Sequence, residues 1–213
     1  DIMIDLKTIT PYHQFTHDKL QAFANTCTQC QLSNHRSNVV FCSGNPHSNL
    51  MLIGEGPGQS EDETGIPFVG RSGQLLTQLL TSVGINRDDI YIANTVKCRP
   101  PNNRTPTPAE MNACNHYLIR QIQLVQPKIL VLLGAASLRD ILGKQYKITQ
   151  SRGQWFRLNV DYMDDQLNVM PIFHPSYLLR FSSTKEGSPK WLTIEDFKEV
   201  QAALSFYDII HDT

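Results

Sequence analysis

Three polar residues stand at the ends of apolar runs, and each could do chemistry. Glu55 follows "LMLIG" and is set in a Gly-Pro-Gly turn, Gly56-Pro57-Gly58. Asn94 closes "IYIAN", and His174 closes "NVMPIFH" and is followed by Pro175. A carboxylate, a carboxamide and an imidazole are groups that donate, accept and carry protons. An aromatic ring, Phe68, arrives a few residues later in the glycine-flanked stretch "TGIPFVGRSG". Taken singly, each polar residue reads as well as a simple strand terminator. Three together with a stiff turn point to a site. A second constellation is made of thiols: Cys27 and Cys30 form a Cys-x2-Cys pair, and Cys98 and Cys114 lie far downstream. Four thiolates from two distant segments suit a structural zinc or an iron–sulfur cluster, and spacing leaves these open. Cys42 is the odd thiol. An odd count of five cysteines argues against a disulfide framework.

These residues need elements to position them. Four short apolar runs predict buried strands: Asn49–Gly54, Ile90–Thr95, Lys128–Gly134 and Asn168–His174. Helical patterns lie between them. "GQLLTQLLTSVG" ends at a glycine, and "TPAEMNACNHYLIRQIQLVQP" opens with a capping Thr107 and Pro108 in its first turn. "GAASLRDILG" and the closing "WLTIEDFKEVQAALSFYDII" complete the set. The segment from Ile148 to Tyr162 predicts an irregular or hairpin insertion. Alternation of strands and helices implies βαβ units and an α/β fold: three layers, α/β/α, around a central four-stranded parallel sheet. Residues 1–20 are expected to be a tail or short helix, and residues 21–213 a single domain. In such sheets ligands bind beyond the carboxyl ends of the strands, where Glu55, Asn94 and His174 would converge.

Composition limits the partners. The net charge is −1, with 19 basic against 20 acidic residues, so a nucleic-acid reading needs local basic patches. No run approaches ~18 apolar residues, so no membrane span is expected. The N-terminal residues carry no basic leader with an apolar segment, and the expected location is the cell interior.

"IGEGPGQSEDETGIPFVGRSGQLL", "NTVKCRPPNNRTPTPAEMNAC", "LGAASL" and "HPSYLLR" resemble the iron–sulfur (family 4) uracil-DNA glycosylases of bacteria and archaea. The likeness runs from about Cys27 to Arg180, with several separated motifs in the same order. It implies an enzyme that flips uracil out of single- or double-stranded DNA and hydrolyses the N-glycosidic bond, acting as a cytoplasmic monomer. It implies a [4Fe–4S] cluster held by Cys27, Cys30, Cys98 and Cys114, with Cys42 a non-ligand.

The resemblance also distributes roles. His174 would face uracil O2 and stabilise the departing anion, in either its neutral or protonated form. Asn94 would accept from uracil N3–H and donate to O4, the reverse of what cytosine offers. Phe68 would stack on the flipped base. Glu55, Gly56 and Pro57 would contact uracil, Glu55 ordering water or stabilising the sugar cation. Glu61 is the candidate for excluding thymine's methyl group. Lys97, Arg99 and Arg104, with Arg36 and Arg71, would meet phosphates. Leu178 and Leu179 are wedge candidates, followed by Arg180. Relatives that become covalently trapped on DNA carry a basic run ending in histidine after the second strand; "KCRPPNNRTPTPAE" has none. A non-catalytic binding module is a second rival, and the glutamate, asparagine and histidine all being present weighs against it; a zinc-stabilised hydrolase of nucleotides rather than DNA is a third, which visible absorption of the purified protein would disfavour, because zinc is colourless.

Overall fold

The computed structural model describes residues 4–211. Its first helix, α1 (His17–Ala24), is capped by Thr16, whose side chain accepts from the Lys19 N–H. Then come β1 (Ser43–Gly44), β2 (Leu50–Gly54), α2 (Gln59–Thr64), α3 (Arg71–Ser82) and β3 (Tyr91–Asn94). The chain continues through α4 (Pro108–Val125), β4 (Ile129–Leu133), α5 (Ala135–Leu142), α6 (Ile148–Ser151) and β5 (Phe156–Leu158). It closes with β6 (Leu167–Ile172), α7 (Pro175–Leu178) and α8 (Pro189–His211). Among the described residues no helix is long and apolar enough to cross a membrane.

The strands form one six-stranded sheet in the order β1-β3-β2-β4-β6-β5. Strands β3, β2, β4 and β6 run parallel, while β1 and β5 pair antiparallel at the two edges. The expected four-stranded sheet is therefore corrected to six. The edge strands have only two and three residues, too short for alternation to reveal them. Side chains alternate across the sheet. Met51, Ile53, Leu130 and Leu132 pack under α4 and α5 through Leu118, Ile122, Leu138 and Ile141. Leu50, Leu52, Ile129 and Val131 face α3 and α8 through Leu76, Leu80, Phe197 and Val200. Every residue of β4 is fully buried, which is why its sequence is uninterrupted "ILVLL".

The N-terminal segment is not a loose tail. Ile4 and Leu6 are buried in the core beneath α4, and Gln123 donates to the Leu6 and Thr8 carbonyls. The short helix α1 begins within residues 1–20, at His17, and runs on to Ala24 across the expected boundary; residues 1–3 lie outside the described residues. The topology matters for the site. From β2 the chain steps outward to β3, then crosses back to β4 on the other side of β2. The loops after β2 and β4 part in opposite directions and leave a crevice at the carboxyl ends.

Candidate active site and cysteine cavity

A cavity opens at that crevice, and Glu55, Gly56, Pro57, Phe68, Asn94 and His174 all line it. The sheet register brings the pieces together, because Gly54 and Asn94 are partners in the last rung between β2 and β3. Beyond it, the Glu55 carbonyl accepts from Thr95 Oγ1 at 2.5 Å and from the Val96 N–H at 3.3 Å, which fixes the turn. Burial pushes the Glu55 carboxyl above its usual range. Asn94 is buried, and its Oδ1 has no hydrogen-bond partner among the described residues. An unpaired buried acceptor is costly, so it marks a place where a ligand donor fits.

Glycine at position 54 is a steric requirement. A Cβ there would stand 2.4 Å from Phe68 Cζ and 2.5 Å from Asn94 Oδ1. The Phe68 ring lies 5.7 Å from the His174 ring, inclined by 33°. Its backbone adopts φ 53°, a left-handed conformation unfavourable for a bulky residue. Three groups hold it there. The Arg87 guanidinium donates to the Pro67 and Phe68 carbonyls. Glu61 Oε2 accepts from the Val69 and Gly70 N–H groups at 3.0 and 2.7 Å. Gly73 of α3 lets the Phe68 carbonyl in, where a Cβ would come within 2.0 Å of it.

Glu61 also accepts from the Gly58 N–H at 3.0 Å, so one carboxylate ties the Glu55 turn to the Phe68 loop. Next to it, buried Asp62 accepts from the Ser37 and Asn38 N–H groups. Neither Arg87 nor the two carboxylate clamps carried a sequence signal for these roles, since each acts on backbone groups brought near only by folding.

His174 has a defined proton. Its Nδ1 accepts from the Ser176 backbone N–H at 3.0 Å and lies 2.7 Å from Ser176 Oγ. A backbone N–H can only donate, so Nδ1 is the acceptor and the ring proton sits on Nε2. Burial lowers the His174 pKa from 6.5 to about 4, against the opposing pull of the Glu61 carboxylate. The imidazole is therefore neutral at pH 7 and keeps one N–H to give. Gly134, with φ +90°, packs against it: a Cβ on residue 134 would lie 2.8 Å from His174 Cβ.

The basic and wedge candidates divide. Leu179 and Arg180 are exposed at the end of α7, beside His174. Leu178 is not: it is fully buried against the α3–α8 side of the sheet, which removes it as a wedge. Lys97 is also corrected. It is 2% exposed and cannot reach a phosphate; Nζ instead donates to the Asn94 carbonyl at 2.7 Å. Burial draws its pKa down to about 8. Arg99 is half-buried, with Nε donating to Asn103 Oδ1 at 2.7 Å, and Arg71 is exposed. Arg104 reaches Glu110 with two bonds of 2.7 and 2.8 Å, and Arg36 serves the cysteines.

Cys27, Cys30, Cys98 and Cys114 line a second cavity, walled by α4, the Cys98 loop and the segment after α1. The donor set matches a group with thiolate ligands. Two sulfurs already receive donors: Arg36 Nη1 lies 3.4 Å from Cys98 Sγ, and the Gln29 N–H lies 3.5 Å from Cys27 Sγ. Among the described residues no group of three or more His, Cys, Asp or Glu is arranged to hold a metal ion. Burial pushes the Cys114 thiol up to about 12. Cys42 lies outside this cavity, 3.8 Å from His17 Nε2.

A sequence profile described as the Uracil DNA glycosylase superfamily matches residues 41–198. The chain is 46% identical over 177 residues to a type-4 uracil-DNA glycosylase of Thermotoga maritima, covering 83% of this chain and 88% of that protein. It is 38% identical over 189 residues to one from Sulfurisphaera tokodaii, covering 86% and 83%. A third, from Pyrobaculum aerophilum, is 40% identical over 166 residues, covering 76% and 84%.

Proposed function

Because the chain belongs to the uracil DNA glycosylase superfamily, we propose that its cavity takes uracil extruded from DNA and that its residues cleave the N-glycosidic bond. The observation that carries this reading is the state of His174. With Nδ1 engaged by Ser176, a neutral ring keeps its Nε2–H for a ligand in the cavity that also holds Glu55 and Asn94.

Departure of uracil places negative charge on the base and positive charge on the sugar. A neutral imidazole donating from Nε2 to uracil O2 stabilises the first without being consumed as an acid. The unpartnered Asn94 Oδ1 would accept from N3–H, and the amide Nδ2 would donate to O4. Cytosine lacks the N3 proton and presents a donor at position 4, so it mismatches both. Phe68, locked in its strained conformation, supplies a flat apolar wall for the base, with Gly56 and Pro57 shaping the approach. Glu55 stands where a carboxylate can order a water or face the sugar cation. Exclusion of thymine by Glu61 belongs to the same proposal: the side chain lines the cavity and is clamped by three backbone N–H groups. Leu179 would fill the gap left by the base, with Arg180, Arg99 and Arg71 toward phosphates.

The cysteine cavity would hold a [4Fe–4S] cluster through Cys27, Cys30, Cys98 and Cys114. When bound, it would pin the N-terminal segment and the Cys98 loop to α4. The four thiols share one cavity, a donor set suited to such a cluster.

The decisive assay incubates the protein with an oligonucleotide containing one uracil, then applies alkali to break abasic sites. Strand scission should appear with uracil and be absent with cytosine or thymine at that position. Scission absent with uracil, or equal for all three, overturns the reading.

A further inference from the structure

Lys97 is a charged side chain that the catalytic reading leaves unused, and it is among the largest fully buried side chains of the protein. Withdrawing an ammonium from water is expensive, so its partner is informative. Nζ makes one hydrogen bond among the described residues, 2.7 Å to the carbonyl oxygen of Asn94. The Phe41 ring lies 5.7 Å from it.

The sheet explains why that carbonyl needs a donor. The Thr95 N–H points to β2, where it donates to the Gly54 carbonyl at 3.0 Å. The Asn94 C=O belongs to the same peptide unit and so points the opposite way, toward the β1 edge. But β1 pairs only with Tyr91 and Ile92, and ends short of Asn94. The ladder thus offers no donor to the residue that carries the carboxamide. Its side-chain Oδ1 has no partner among the described residues either. Apart from packing against Gly54 and Phe68, the ammonium is what fixes Asn94 on this side.

We propose that Lys97 is a positioning residue for base recognition: it stands in for a missing strand, locks the final peptide of β3, and so sets the aim of the Asn94 carboxamide. This rests on the reading of Asn94 as the group that contacts uracil. A lysine whose purpose was phosphate contact would sit at the surface. One serving only the core could be replaced by an apolar chain without loss of selectivity.

The test is a double-mutant cycle with Lys97→Met and Asn94→Ala, read as single-turnover excision of uracil and as preference for uracil over cytosine. Iron content and melting temperature are measured for each variant. Lys97→Met should lower uracil excision about tenfold, the scale of one net hydrogen bond to a charged group, and weaken the preference. In the Asn94→Ala background the same change should cost under about twofold, because the group it positions is gone. Equal losses in both backgrounds would overturn the proposal, as would undiminished excision and preference in Lys97→Met. If Asn94→Ala by itself keeps full excision and preference, the failure belongs to the reading of Asn94 instead. Should Lys97→Met not fold, Lys97→Leu, which also lacks a donor, enters the same cycle with the same criteria.

Discussion

The protonation of His174 is the most demanding consequence of the site. Its pKa is drawn from 6.5 to about 4 by burial, and the Ser176 N–H holds Nδ1 as an acceptor. A shift of that size corresponds to about 3 kcal/mol against the imidazolium, so at pH 7 about one protein in a thousand carries it. If the neutral ring is the acting form, lowering the pH from 8 to 5 should leave the His174 contribution to excision unchanged. The decline should begin only near pH 4. The perturbation is pH itself, compared between the native chain and His174→Gln, which keeps a neutral donor at every pH. Single-turnover excision of uracil from an oligonucleotide is the assay. The substitution should slow excision and remove the part of the acidic decline that belongs to His174, leaving any part that belongs to protonation of the Glu55 carboxylate. His174→Ala, without a donor, should cost about two to three orders of magnitude while sparing DNA affinity. A rise in rate as pH falls through 6.5, absent from His174→Gln, would mean that imidazolium is the active species and would refute the argument. The same shift has a stability consequence. The unfolded chain takes up this proton near 6.5 and the folded chain only near 4, so stability falls as pH drops through that window, by up to about 3 kcal/mol. A denaturant titration at pH 7 and pH 4.5 should show a loss that His174→Gln reduces.

Gly54→Ala should close the cavity, since its Cβ would overlap Phe68 and Asn94; excision should fall at least about tenfold with a stability loss of about 1–3 kcal/mol, and an unchanged rate would count against this geometry. Leu179→Ala should weaken excision from duplex several-fold while sparing single strands, whereas Leu178→Ala should cost about 2–5 kcal/mol of folding stability; equal activity losses on both DNA forms would remove Leu179 as the wedge. Cys98→Ser should lower bound iron and sulfide and the visible absorption of the purified protein, and a variant fully loaded with iron would contradict the ligand set.

The apolar runs announced the four parallel strands, because strands covered on both faces must be continuously hydrophobic, and the Thr107–Glu110 capping box fixed the start of α4 as its residues imply. The strand-end positions of Glu55, Asn94 and His174 followed from the same pattern, and parallel strands carry their ends to one rim. What the chain's local chemistry could not express was orientation across distance. Leu178 and Leu179 are adjacent and alike in sequence, yet a helical turn sends one into the core and leaves the other in water. Lys97 reads as a phosphate contact beside Arg99, yet it is buried and donates to the Asn94 carbonyl. The tautomer of His174, the clamp of Glu61 and Arg87 on the Phe68 loop, and the empty acceptor on Asn94 depend on hydrogen bonds whose partners are fixed only once the chain is packed. Burial then sets their protonation and cost. Sequence determined which groups arrive at the crevice; tertiary structure decided which way they face and what charge they carry there.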